Sequence, residues 1–289
     1  MSTTLKPAVY TGYHGVQLAA DIGGDPSAQA VILLHGGGQT RHSWGKAARD
    51  LVAAGYHVVS LDLRGHGNSQ WAPGGDYSMN AFAGDLRAVA GTLHTLPALV
   101  GASLGGATSL IATGEAVEAI ASALVLVDVV PRMEKHGIER IRSFMGGNPD
   151  GFTNLDEVAD AVSAYNPTRP RPASNAGLMK NLRQGDDGRL YWHWDPAFQG
   201  NNGDRGPGAV FDRMDAAAGN IRVPTLLVRG KASEVVSEAG AKHLHALIPH
   251  AETVDVEGAG HMVAGDKNDA FNSAVIGFLD RTLRQRHAA

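Results

Sequence analysis

A serine lies at the centre of the segment Gly101-Ala-Ser-Leu-Gly105, between a short apolar run and a stretch of helical period. A sharp turn from strand to helix strains the backbone at its central residue and leaves little room beside it, so glycines flank the serine two positions away. The amides at the start of the following helix would point toward a developing oxyanion. A chance match to this loose pattern is the alternative, but the strand and helix on either side argue against it. We therefore predict that Ser103 is a nucleophile.

A glycine-rich turn, His35-Gly-Gly-Gly38, directly follows the apolar run Val31 to Leu34. Acyl transfer needs two amide donors where the oxyanion forms. We expect these to be the amide of Leu104, next to the nucleophile, and an amide of the glycine turn, that of Gly37. Neither of the common phosphate-binding glycine motifs occurs here, so a phosphate loop is disfavoured.

A serine hydroxyl needs a base that removes its proton, and thirteen histidines are available for that role. His261 comes after the last apolar run and before the last helical stretch, which places it at the same sheet edge as Ser103 and fits the chain order serine, acid, histidine. His66 is interpreted as a structural or pocket-lining residue. We predict that His261 is the general base.

Two carboxylates could orient His261. Glu234 follows the apolar run Thr225 to Val228, and Asp128 ends the run Ala123 to Val127. Either could reach the imidazole from a strand end. We favour Glu234 and keep Asp128 as the alternative, because an aspartate at a strand end often caps a turn instead.

Short apolar runs that alternate with helical segments must position these residues. Such runs are typical of buried parallel strands. They are Val31–Leu34, His57–Leu61, Ala98–Val100, Ala123–Val127, Thr225–Val228 and Ala251–Val256. A hairpin, Ala8–Tyr13 with Val16–Ile22, is expected before them. The predicted fold is α/β, a doubly wound and mostly parallel sheet of about eight strands with helices on both faces.

The alternation stops between residues 131 and 221. Proline-rich and glycine-rich stretches there interrupt three helical pieces, Glu139–Met145, Leu155–Ala164 and Asn175–Leu182. We interpret 131–221 as a helical cap inserted into a core domain of residues 1–130 and 222–289. Tyr191, Trp192 and Trp194 lie close together in this segment and are candidate substrate-binding residues. They favour an apolar or aromatic small-molecule substrate, although buried aromatic residues can also be simple packing.

The composition limits the other classes of function. The 289 residues carry a net charge of −4 and no cysteine, so neither a nucleic-acid surface nor a thiolate site is expected. No H-E-x-x-H occurs, and we expect no metal and no cofactor. No run approaches 18 apolar residues and no leader pattern is seen, so we expect a cytoplasmic protein without a membrane partner. The oligomeric state stays open.

Four motifs occur in the order seen in α/β-hydrolase fold proteins: H-G-G-G at 35–38, D-L-R-G-H-G-N-S at 62–69, G-A-S-L-G-G at 101–106 and G-A-G-H at 258–261. Over nearly its whole length the chain resembles the serine-nucleophile branch of this superfamily, the esterase- and lactonase-like proteins with a helical cap. The resemblance implies a triad of Ser103, His261 and an acid, with Gly37 and Leu104 as the oxyanion hole.

The chain departs from the family pattern at the acid. Relatives most often carry aspartate after the seventh strand, where this chain has G-K-A-S-E at 230–234. A minority, including some lactone hydrolases and cofactor-independent dioxygenases, take the acid from the end of the sixth strand, which keeps Asp128 open.

The function expected from these residues is hydrolysis of a carboxylic ester or lactone through an acyl-enzyme on Ser103. The same triad could instead support perhydrolysis, cofactor-independent oxygenation or carbon–carbon bond hydrolysis. A ligand receptor with slow turnover is the alternative from a different class.

Overall fold

The computed structural model describes residues 3–167, 171, 174–200, 207–266 and 268–284. Eight strands form the main sheet, and two more form a separate hairpin. The strands are β1 Lys6–Thr11, β2 Gln17–Gly23, β3 Ala30–Leu34, β4 His57–Leu61, β5 Ala98–Ala102, β6 Ala123–Val127, β7 Leu182–Gln184, β8 Leu190–Trp192, β9 Thr225–Gly230 and β10 Glu252–Val256.

Helices connect most of these strands. The α-helices are α1 Gly45–Ala53, α2 Met79–Ala90, α3 Leu104–Gly114, α4 Lys135–Met145, α5 Leu155–Tyr165, α6 Ala197–Gly200, α7 Pro207–Ala218, α8 Glu238–Leu247, α9 Val263–Asp266 and α10 Asn268–Leu279. No helix in the described ranges is both long enough and apolar enough to cross a bilayer.

The main sheet has the order β1-β2-β4-β3-β5-β6-β9-β10. β1 and β2 form an antiparallel hairpin, β2 runs antiparallel to β4, and the remaining pairs are parallel. The prediction of a mostly parallel sheet of about eight strands is confirmed.

Helices cover both faces of this sheet because its central strands are apolar on both sides. In β3, Val31 and Leu33 pack with α1 and α10, whereas Ile32 and Leu34 pack with α2 and α3 on the opposite face. This two-sided burial is why these strands read as continuous apolar runs instead of alternating ones. The parallel strands all end at one edge, which is where the candidate site lies.

The chain between β6 and β9 departs from the strand–helix alternation. It holds α4 to α7, a 3₁₀ segment at Asn175–Asn181 and the β7–β8 hairpin. Two of the three predicted helical pieces are α-helices, and the third is 3₁₀. A small apolar cluster of its own includes Met145, Phe152 and Trp192. The proline-rich run at 167–172 lies mostly outside the described residues, and the division into core and cap stays a prediction.

Candidate active site

Ser103 occupies the turn between β5 and α3 in a strained backbone conformation. Its φ of 46° and ψ of −112° lie in a region that residues with a side chain rarely adopt. The flanking glycines are required by close backbone approach. A Cβ at Gly101 would lie 2.4 Å from the carbonyl oxygen of Gly105, and one at Gly105 would lie 2.4 Å from that of Leu34. The turn therefore holds the serine at the carboxyl edge of the sheet.

Two backbone amides beside Ser103 are available to a ligand. The glycine turn after β3 lies against the serine, since a Cβ at Gly36 would be 3.3 Å from the Cβ of Ser103. The amide of Gly36 donates to Oε1 of Gln39 at 3.1 Å. By contrast, the amides of Gly37 and Leu104 have no hydrogen-bond partner in the described part of the chain. They are the pair that the sequence singled out as oxyanion donors.

Asp128 holds the imidazole of His261. Nδ1 of His261 donates to Oδ2 of Asp128 at 2.7 Å. The carboxylate is fully buried and also accepts the amide of Gly230 at 3.0 Å and the hydroxyl of Ser233 at 2.5 Å. With its proton on Nδ1, the ring leaves Nε2 free as an acceptor. Ser233 is the functional candidate that sequence reasoning missed, although the run G-K-A-S-E contains it.

Glu234 lies elsewhere, which corrects our preference between the two carboxylates. Its side chain is 53% exposed and forms an ion pair with Arg140 of α4. Its backbone packs against the same helix, because a Cβ at Gly137 would lie 2.5 Å from the carbonyl oxygen of Glu234. The structure thus brings Asp128, and not Glu234, to His261.

Ser103 and His261 line one cavity of about 490 Å³, which we call the His261 cavity. Gly37, Trp192 and Trp194 also line it. No hydrogen bond between the described residues joins the Ser103 hydroxyl to the imidazole. Within the same described ranges, no three His, Asp or Glu side chains are grouped so as to hold a metal ion.

The three aromatic candidates of the inserted segment separate into two sets. Trp192 and Trp194 stack at a centroid distance of 5.0 Å and line the His261 cavity. Tyr191 is not among the residues around that cavity. It donates its hydroxyl to Asp187 at 2.8 Å and packs against Arg183, which removes it from the substrate-binding candidates.

Three buried histidines lie side by side beneath the glycine turn. The ring centroids of His35 and His66 are 5.3 Å apart, and those of His66 and His193 are 5.8 Å apart. Burial, together with neighbouring histidines for His35 and His193, lowers the pKa of His35 to about 3, that of His66 to about 4 and that of His193 to about 3. All three are therefore neutral at pH 7.

These histidines predict acid sensitivity. Their native pKa values lie below the ordinary value near 6.5, so below that pH the unfolded chain binds protons that the native chain excludes. The free energy of unfolding is therefore highest, as far as these histidines are concerned, above about pH 6.5. It decreases as the pH drops toward 4. We expect His66→Asn, whose amide can keep the bond to the Arg64 carbonyl, to reduce this fall by up to about 1.4 kcal/mol per pH unit.

Urea unfolding at pH 7.5 and 5.5 measures this difference. His94→Asn is the control, since His94 is exposed and should leave the pH dependence as in the wild type. An equal loss of stability in His66→Asn and the wild type would contradict the prediction.

Residues 29–267 match the model of the α/β hydrolase fold family. An esterase of Mycobacterium tuberculosis is 32% identical over 267 residues, 88% of this chain and 84% of the esterase. A solved structure of that esterase superposes with a TM-score of 0.74 at 29% identity, covering 95% of this chain and 92% of the other.

An sn-1-specific diacylglycerol lipase of Mus musculus is 25% identical over 89% of this chain and 82% of its own length. The structure of E-2-(acetamidomethylene)succinate hydrolase has a TM-score of 0.81 at 21% identity over 96% of this chain and all of the other, which shows the fold alone. The relatives support a hydrolase activity, and the chain belongs to the α/β hydrolase fold family.

Proposed function

We propose that this protein hydrolyses a carboxylic ester or lactone through a covalent acyl intermediate on Ser103. The observation that carries the proposal is the 2.7 Å hydrogen bond between His261 and buried Asp128, at a cavity that Ser103 also lines. A carboxylate that orients a histidine beside a serine on a strained turn is the arrangement that makes a hydroxyl nucleophilic. The identity to an esterase over most of the chain supports the same reaction class.

The reaction would proceed in two halves. Rotation of the Ser103 side chain brings its hydroxyl to Nε2 of His261, which takes the proton as the oxygen attacks the carbonyl carbon. The amides of Gly37 and Leu104 donate to the oxyanion. His261 then gives its proton to the departing alkoxide, so that an alcohol leaves. Water repeats the sequence on the acyl-enzyme and releases the carboxylic acid.

In the proposed reaction the carboxylate of Asp128 stabilises the imidazolium that forms in each half. The amide of Gly230 donates to Oδ1, and the hydroxyl of Ser233 donates to Oδ2, the oxygen that also accepts from His261. These bonds hold the carboxylate toward the ring. Asp128 therefore fixes both the tautomer and the orientation of His261.

We further propose that residues 131–221 act as a cap over the substrate. A Cβ at Gly38 would lie 3.3 Å from both Met145 and Trp194, so the segment reaches the glycine turn itself. Enclosure by these apolar groups favours an apolar or aromatic substrate and strengthens the electrostatic contacts inside the site.

A fluorophosphonate tests the nucleophile directly, because its phosphorus forms a bond only with an activated hydroxyl as fluoride leaves. We expect one adduct per chain, found on the peptide that contains Ser103 by mass spectrometry, and none in Ser103→Ala. Ser43→Ala is the matched control, since Ser43 lines the same cavity and should be labelled like the wild type. Labelling that persists in Ser103→Ala would exclude the proposal.

A further inference from the structure

Two cavities meet at Ser103. A second cavity of about 370 Å³ shares Gly37, Ser103, Ile141 and Met145 with the His261 cavity. His261 lines only the first of them, and Leu104 lines only the second. The proposed base therefore lies in the first cavity, whereas one of the two proposed oxyanion donors lies in the second.

The second cavity is lined by flexible apolar side chains, and we call it the methionine cavity. Four methionines contribute to its wall, namely Met79, Met133, Met145 and Met214. The ring of Tyr77 also faces it, while the hydroxyl of Tyr77 is occupied by Asp195 at 2.5 Å.

The long polar side chains in this wall, Arg142 and Gln199, belong to exposed residues. Among the described residues, Arg142 is the one charged residue that lines the methionine cavity. The interior therefore offers a ligand an apolar surface and no buried charge, which suits an aliphatic chain. Unbranched thioether side chains adapt to ligands of different shape, so chains of more than one length can be accommodated.

Proton transfer decides which part of an ester occupies which cavity. His261 must reach the departing oxygen within hydrogen-bond distance, so the leaving group has to lie on the His261 side of Ser103. The water that later attacks the acyl-enzyme needs the same base and enters the same space once the alcohol has left. The acyl chain has to remain elsewhere during this exchange, and the methionine cavity is the space that also opens on Ser103.

We propose that the methionine cavity binds the acyl chain of aliphatic esters of medium length and that the small side chain of Ala107 leaves room for the first methylenes of that chain. The assignment depends on the hydrolysis proposed above. Ala107 lies one turn of α3 beyond Leu104. It lines the methionine cavity and does not line the His261 cavity. A larger side chain there would occupy the space that the first methylenes of the chain need.

Two series of esters test the assignment. The acyl series comprises p-nitrophenyl acetate, butanoate, hexanoate and octanoate, and the alcohol series comprises acetates of ethanol, butanol, hexanol and octanol. Burial of each methylene is worth about 0.8 kcal/mol, so kcat/KM of the wild type should rise about fourfold per methylene along the acyl series until the cavity is full. The readout is the ratio of kcat/KM for octanoate to that for acetate.

We expect Ala107→Leu to lower this ratio at least tenfold. Val210→Phe should lower it as well, and this residue of α7 is only half-buried, so the substitution disturbs less of the core than one at a fully buried position. Ala239→Leu is the control, because Ala239 is exposed on α8 and lines neither cavity. Its ratio should equal that of the wild type.

Each outcome decides one point. If Ala107→Leu and Val210→Phe changed kcat/KM only along the alcohol series, the assignment would be overturned, because the methionine cavity would then bind the alcohol part of the ester. Ester turnover with an unaltered octanoate-to-acetate ratio in both variants would overturn it too, while leaving hydrolysis intact. If the wild type hydrolyses neither series, the proposed function itself fails.

Discussion

Ser103→Ala is expected to lower kcat for p-nitrophenyl acetate by at least about 10³ and by up to about 10⁶. The substitution removes the only atom to which an acyl group could be attached in the proposed reaction. Turnover that remains would come from the amides of Gly37 and Leu104 and from substrate binding. Steady-state assays on purified protein measure the loss. Ser109→Ala is the matched control, since Ser109 lies in α3, the helix that follows Ser103, and its hydroxyl donates to the carbonyl of Gly105.

A double variant sharpens this test. Ser103 and His261 act as a unit in the proposed reaction, so Ser103→Ala combined with His261→Ala should be about as slow as Ser103→Ala alone. Losses that multiply would show that the two residues act independently, contrary to the proposed triad.

Asp128→Asn is expected to lower kcat by about 10⁴ with the fold retained. An amide at this position can donate to Nδ1 of His261, which favours the tautomer whose Nε2 carries the proton and cannot accept one. The charge that stabilises the imidazolium is lost as well. The same steady-state assay gives the effect, and thermal unfolding checks the fold.

Glu234→Gln is the matched isosteric change. Its carboxylate is half exposed and paired with Arg140, so we expect kcat within about twofold of the wild type. A large loss from Glu234→Gln together with a small one from Asp128→Asn would reverse the assignment of the acid.

The sheet and the nucleophile turn were predictable because local residues determine them. Val31 to Leu34 is apolar at every position since both sheet faces are covered, and its pattern predicts a buried parallel strand. The glycines around Ser103 are needed because a side chain there would collide with backbone atoms, either a few residues away or in the neighbouring strand β3. The topology then brings the ends of β5, β6 and β9 to one edge.

The acid could not be chosen from the sequence because β6 and β9 are neighbours, so Asp128 and Glu234 both follow strands at that edge. The choice depends on the turn after β9. The hydroxyl of Ser233 accepts the amides of Val235 and Val236 at 3.1 Å each and donates to Asp128. This turns Ser233 inward and the next side chain outward to Arg140, a residue far away in the chain.

The position of Tyr191 could not be predicted from the sequence either. The density of aromatic residues around it predicts burial, but the period of the element decides which of them face inward. Leu190 to Trp192 is a strand, in which adjacent side chains point to opposite faces. Trp192 is therefore buried and Tyr191 is not.

The backbone conformation at Ser103 has a consequence for directed evolution. A left-handed geometry costs a residue with a Cβ about 1–3 kcal/mol, and glycine is free of this penalty. Selection of random libraries for thermal stability would consequently enrich Ser103→Gly, a more stable variant that has lost its nucleophile. A screen for thermal stability of this protein therefore has to measure the activity that remains after heating, and not the amount of folded protein.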